Sequence, residues 1–290
     1  MAKPRVIVKR RKSVRNIRKI TRTMQLIATA RFQAAFNRAV ATRPYTERLA
    51  ELVANISSAM EGEVAHPLMK AREGARRDAL LVITSNRGLC GGYNTSVLRR
   101  AIVHLTESPN CDVYMVGKKG INYFKFLQRE MLERITHIGD TPRFNEVEPL
   151  ANTLMDRFTR GELASVHVCS MRFHSVSRQS PDVIRLLPLS REPQAAGTKV
   201  AKQAEVQYEF SPDPKELLAE LLPATVRIRL FQCFTDAAVS EQVARMVAMK
   251  AATDAAGDMI TALTRKYNRA RQSQITMELL DIVGGANALA

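Results

Sequence analysis

The chain has 290 residues, 46% hydrophobic and 25% charged, enough apolar material for one or two domains with a buried core. Its apolar runs, such as Ala79 to Ile83, fall far short of the ~20 residues that a bilayer-crossing helix requires, which excludes a membrane span. The formal net charge is +16 and it is concentrated: ten Lys or Arg fall within residues 1 to 22, and the first acidic residue is Glu47.

The basic end must meet something negative, and nucleic acid, a membrane surface and an acidic protein surface compete for it. Nucleic acid would be favoured by aromatic side chains among the charges, but Phe32 is the first aromatic and Trp is absent. An Arg-rich, acid-poor start also fits a mitochondrial transit peptide. From Val14 the apolar positions Ile17, Ile20, Met24 and Ile27 step by three or four, thin to alanines, and resume at Leu49, Leu52, Val53, Ile56 and Met60. The spacing predicts one long helix over residues 13 to 61, kinked or partly broken at Pro44.

The middle of the chain changes grammar. Strands are expected at Leu80 to Ile83, Val113 to Val116, Leu132 to Ile138, Val166 to Cys169 and Val183 to Leu187, with helices over 93–106, 118–128 and 144–160. That alternation predicts one α/β domain with a largely parallel sheet, between the charged stretch Lys70 to Arg77 and the polar linker Arg191 to Lys202.

Its first strand-to-helix turn reads TSNRGLCGGYN, residues 84 to 94. A glycine-rich loop there suits an anion, because helix N-terminal amides point outward and glycine permits close approach. Gly88, Gly91 and Gly92, however, give neither phosphate-binding spacing, and no lysine follows. Cys90 lacks a neighbouring base, and Asp78 precedes the first strand instead of ending the second, where a ribose clamp would sit. A tight turn is the favoured reading, with a phosphate or thiol site as the alternatives. Cysteines 90, 111, 169 and 233 form no close pair, which suits reduced thiols, and His167 with Cys169 makes a poor zinc site.

The last quarter returns to helix. Pro212-Asp213-Pro214 is read as a start, Lys215 to Leu222 as a short helix, Pro223 as a bend, and Thr235 to Ile282 as a long helix. Its stripe is Met249, Ala252, Ala256, Met259, Leu263, Tyr267 and Ala270. Seams rich in Ala and Met suit two helices packed closely without strict heptads. A helix of ~60 residues would be ~90 Å long, so it is expected to project.

Four stretches, in order, resemble the gamma subunit of the F-type ATP synthase. ITMELLDIVGGANAL is similar to the family signature I-T-x-E-x-x-[DE]-I-V-x-G-A, through Ile275, Thr276, Glu278, Asp281, Gly285 and Ala286. ARMVAMKAATDAA at 244–256 resembles A-R-M-V-A-M-K-x-A-T-D-N-A, with Ala255 where Asn is usual. IRKITRTMQLIATAR resembles the N-terminal pattern, and the loop resembles S-D-R-G-L-C-G-G-x-N, with Asn86 in place of Asp.

The resemblance implies a long antiparallel coiled coil of the N- and C-terminal helices (1–62 and 208–290) plus a central Rossmann-like α/β domain (75–192). It implies a rotor inside a ring of α and β subunits, with ATP chemistry on the β subunits, no cofactor, no direct ATP binding and no nucleic acid. Subunit contacts are expected at Arg22, Met24, Arg271, Gln272, Thr276 and Glu278. Asn86, Arg87 and Cys90 are expected to face the β subunits, and Tyr208, Glu209 and Phe210 to form a foot on the membrane c-ring and the epsilon subunit. A basic coiled-coil nucleic-acid binder is the alternative. Because the family-like helix begins by about residue 12, little room is left for a transit peptide, and the cytoplasmic side of a bacterial plasma membrane is expected.

Overall fold

A computed structural model describes residues 4–59, 66–69, 77–189 and 214–289. In chain order these form α1 (Pro4–Ala59), β1 (Asp78–Ile83), α2 (Tyr93–Glu107), β2 (Cys111–Val116), α3 (Lys118–Phe126), β3 (Glu133–Ile135), α4 (Phe144–Thr159), β4 (Ser165–Phe173), β5 (Gln179–Leu187) and α5 (Pro214–Leu289). They fall into two units. One holds α1 up to Ala30 with α5 from Arg245 onward, and the other runs from Arg31 to Ala244.

The second unit is built on a five-stranded sheet of order β3-β2-β1-β4-β5, parallel except for β5, which runs antiparallel to β4. Alternate residues of β1 explain its unbroken apolar run. Ala79, Leu81 and Ile83 join the cluster that holds Leu150, Leu154 and Phe158 of α4 and Leu222, Val226 and Leu230 of α5. Leu80 and Val82 join Val97 and Ala101 of α2 and Phe124 of α3 in the other. With helices on both faces, no position of the strand is left for a polar residue. The last strand before α4 is shorter than the expected Leu132 to Ile138, since β3 pairs with β2 over only three residues.

After β3 the chain returns to the far side of β1, so the order reverses between β1 and β4, and loops beyond their C-terminal ends occupy the place where this class of sheet holds ligands. Gly117, at the end of β2, has φ +93°, and a Cβ there would stand 2.2 Å from the Thr84 carbonyl oxygen. Only glycine lets these two loops approach so closely.

The prolines read as a kink or partial break (Pro44) and a bend (Pro223) lie inside the long helices, α1 running through the first and α5 through the second. Around Pro223 the reason is local burial. Leu218, Leu222, Val226 and Leu230 recur every four residues and are all buried, and each such side chain contributes ~1.5–3 kcal/mol, which outweighs the ~3 kcal/mol penalty of an interior proline.

In the first unit, α1 and α5 pack antiparallel. Arg11 lies 5.2 Å from the Tyr267 ring centre, Arg18 spans Gly257, and Thr253 Oγ1 donates to Thr21 Oγ1 at 2.9 Å, so one number falls as the other rises. The buried seam residues are Ile7 and Ala28 on α1, and Met249, Thr253 and Ala256 on α5. The expected C-terminal stripe is largely met, since Ala252, Leu263, Tyr267 and Ala270 are partly buried beside Met249 and Ala256. The seam is corrected at four positions: Ile17, Ile20 and Ile27 are 52%, 59% and 49% exposed and Met259 is 53% exposed, while Thr21 and Ile260 are partly buried. Small residues at Ala28, Thr253 and Ala256 allow the two helices close together, and these four larger apolar side chains turn outward.

Candidate functional site

The loop after β1 is closed on itself by side chains. The Ser85 amide donates to Asn94 Oδ1 at 3.0 Å, Ser85 Oγ donates to the Arg87 carbonyl at 2.6 Å, and Asn94 Nδ2 donates to Ser85 Oγ at 2.8 Å and to Cys90 Sγ at 3.2 Å. Cys90 is buried beneath the turn, and Gly91 takes the left-handed conformation that lets the chain enter α2. Asn86 points across the sheet edge: its Nδ2 donates to the Ile138 carbonyl at 2.9 Å and its Oδ1 accepts from the Lys118 amide at 3.1 Å. Where a ligand would enter, the remaining space is about 20 Å³, lined by Thr84, Asn86, Ile138, Phe234 and Glu241 among others. That is room for about one water. α5 has filled the crevice.

The other cysteines are no more reactive. Burial pushes the thiols of Cys111, Cys169 and Cys233 up to about 12, so they stay protonated near neutral pH. His167 stacks on His104 with ring centres 4.7 Å apart, and burial followed by the neighbouring His104 lowers its pKa. Among the described residues no group of three or more His, Cys, Asp or Glu is arranged to hold a metal.

The helical pair offers a different surface. Arg15, Arg18, Lys19 and Arg22 of α1 line a groove of about 750 Å³ against Thr253, Asp254 and Ile260 of α5. One carboxylate faces four cations, so the groove repels cations and attracts acidic groups. Met24 is half-buried, while Arg22, Arg271, Gln272, Thr276 and Glu278 are exposed. Toward its end α5 also exposes Ile275, Met277, Leu279, Leu280, Ile282 and Val283. That is an unusual density of apolar side chains for a free surface. The structure thus spreads the expected site residues over two units, and Tyr208, Glu209 and Phe210 lie outside the described residues.

Sequence reasoning missed the partners of Asn86. They are Lys118, at the start of α3, and Ile138, in the stretch between β3 and α4, where the only signal is the turn-forming run Gly139-Asp140-Thr141-Pro142.

A long antiparallel pair of terminal helices and a mostly parallel five-stranded sheet whose crevice is filled define a mixed α/β protein. A family model described as ATP synthase matches residues 3–289. The chain is 45% identical over 295 residues to the ATP synthase gamma chain of Rhodopirellula baltica, covering 100% of this chain and 99% of that one. It is 41% identical over 294 residues to the gamma chain of Leptospira biflexa, with both covered in full. Among solved structures, a chain of the Euglena gracilis mitochondrial ATP synthase (OSCP, F1 and c-ring) superposes with a TM-score of 0.66 at 17% identity, over 99% of this chain and 94% of that one. A chain from the central stalk and c-ring of the Tetrahymena thermophila enzyme gives 0.58, over 80% and 99%. The chain belongs to the gamma-chain family of ATP synthase. Its function is that of a gamma chain of ATP synthase, and the nucleic-acid alternative is left without support. Among the described residues no helix is long and apolar enough to cross a membrane.

Proposed function

We propose that the chain is a non-catalytic rotor, with an axle formed by residues 1–62 and 208–290 and an α/β domain over 75–192. The axle turns inside a ring of α and β subunits, and the β subunits carry the nucleotide chemistry. A turning shaft biases each β subunit only through the difference in its contacts with that subunit's open and closed states. Outward-facing Ile17, Ile20 and Met259 supply slippery apolar contact. Arg15, Arg18, Lys19 and Arg22 attract acidic segments of the ring without fixing one register. Arg271, Gln272, Thr276 and Glu278 act as bearing contacts, and Asn86, Arg87 and Cys90 lie on the side of the α/β domain that meets the β subunits. Tyr208, Glu209 and Phe210 form the foot on the c-ring and epsilon subunit, at the cytoplasmic side of a bacterial plasma membrane. One solved neighbour belongs to an assembly of OSCP, F1 and c-ring and another to a central stalk with its c-ring, which supports these partners.

The observation that carries this reading is the outward face of the helical pair: Ile17, Ile20, Ile27 and Met259 are exposed beside the basic side chains of α1. Arg271→Glu combined with Gln272→Ala tests it in reconstituted complex. A lost charge-assisted pair worth ~1–3 kcal/mol slows steady-state hydrolysis roughly tenfold to a hundredfold, while nucleotide affinity at the tightest site changes far less. Unchanged assembly, turnover and ion pumping would remove these two residues from the bearing.

A further inference from the structure

If the chain turns as a rotor, force must cross between the sheet and the long helices, and the structure contains a small element that touches all of them. Residues 136–142, between β3 and α4, follow a strand held by only three residue pairs. They are nevertheless tied on three sides. Toward α1, Arg31 Nη1 donates to Asp140 Oδ2 at 2.8 Å across 109 residues of sequence. Toward α5, Ile138, Gly139 and Asp140 line one small cavity with Phe234, Ala237 and Glu241, and Ile138 is buried in the same core cluster as Phe234 and Ala237. Toward the sheet, the Ile138 carbonyl accepts from Asn86 Nδ2 at 2.9 Å, and Asn86 is itself held by the Lys118 amide. All of these residues lie in the unit from Arg31 to Ala244.

The chemistry of the three ties differs. Apolar burial at Ile138 resists separation but has little directional preference, so it yields to sliding. The hydrogen bond of Asn86 and the ion pair of Asp140 are directional and oppose movement across the contact. Asp140 has a side chain only 16% exposed, so its carboxylate is held in place, whereas Arg31 is 47% exposed and reaches it from outside. A pair with one exposed member adds little to folding stability. Fold maintenance is therefore a poor account of it.

We propose that residues 136–142 are a clamp through which turning force passes between the sheet and the two long helices. Asp140 grips α1, and Asn86 anchors the clamp to the loop after β1. Both are positioning residues, and the proposal rests on the rotor reading given above.

The test uses the assembled complex in sealed vesicles, with Arg31→Glu, Asp140→Arg and the double exchange. ATP-driven ion pumping against a gradient is compared with hydrolysis after an ionophore removes the load. Each single variant is expected to lower pumping about two- to fivefold while unloaded hydrolysis stays at the parent rate, and the exchange is expected to restore pumping. Asp140→Asn, which keeps the shape without the charge, gives the same readout if a charge reversal impairs assembly. Singles that pump like the parent, or an exchange no better than the singles, overturn the clamp. A parent complex that hydrolyses ATP but pumps nothing with this chain in place overturns the rotor reading, and the clamp with it.

Discussion

The two units differ in where most of their large apolar side chains lie. In the unit from Arg31 to Ala244, Leu80, Leu81, Leu154 and Phe158 are wholly enclosed between sheet and helices. In the helical pair, Ala28, Thr253 and Ala256 are inside, and Ile17, Ile20 and Met259 face outward. The first arrangement is that of a domain that carries its own stability. The second leaves apolar area on view, which is stabilising only when something surrounds it.

The sharpest way to break this comparison is to remove one large side chain from each unit. Leu81→Ala should cost ~2–5 kcal/mol, because a wholly buried side chain leaves a cavity that the sheet cannot close. Ile20→Ala should cost under ~0.5 kcal/mol in the isolated chain, since an exposed residue leaves none. Urea titration followed by circular dichroism measures both. A cost above ~1 kcal/mol for Ile20→Ala would mean that the helical pair has an inward core reaching that position.

This contrast also explains what the sequence made legible. β1 and β2 announce themselves most plainly, because burial on both faces demands an apolar run and short turns punctuate it, whereas β3 is exposed at Glu133 and Arg134 and β5 is half-buried over most of its length. The helices are equally plain, and the phase of α5 is largely legible, since of its stripe only Met259 is exposed. The phase of α1 is less so: Ile17, Ile20 and Ile27 read as seam on the premise that large apolar residues face a partner helix, and in this chain they face away from it. Thr21, Thr253 and Gly257 mark the true seam, and such residues look like ordinary surface until the close approach is seen. Pro44 reads as a kink or partial break and Pro223 as a bend, and the residues flanking both are helical. The glycine spacing of the loop after β1 favours a tight turn, and its side chains close it on itself. Its partnership with Ile138 could not be read, because no periodicity links residues 52 apart.

A smaller effect is expected at that joint. Asn86 uses both ends of its amide, donating to the Ile138 carbonyl and accepting from the Lys118 amide. Asn86→Asp restores the residue usual in the family pattern but has no donor for Ile138, and sets two oxygens against each other. The loss should be ~1–3 kcal/mol of the unit's stability at neutral pH, and less once acid protonates the new carboxyl and gives it a donor. Urea midpoints at neutral and acid pH measure this. Equal midpoints for parent and variant at neutral pH would mean that the loop rotates to avoid the clash and that the Ile138 contact is dispensable.

The smallest effect separates the two units by pH. All five histidines lie between residues 66 and 174, so the helical pair from Pro4 to Ala30 and from Arg245 onward contains none. Burial, and then the adjacent His104, lower the pKa of His167 below its ordinary 6.5; Arg185 acts in the same direction and Asp78 opposes them. Burial lowers His66 as well. A histidine held below its unfolded value is neutral in the folded chain while the unfolded chain takes up a proton. Its contribution is therefore present above about 6.5 and is lost as pH falls through that value, levelling off below the folded pKa. The slope is at most ~1.4 kcal/mol per pH unit for each proton. Amide hydrogen exchange between pH 7 and 5, corrected for the intrinsic rate, should show protection of β1 and β4 declining while that of the paired segments of α1 and α5 does not. His167→Gln should flatten the decline in the sheet. If the helical pair loses protection in step with the sheet, the two units unfold together, and the division drawn between a self-sufficient domain and a pair that depends on its surroundings is wrong.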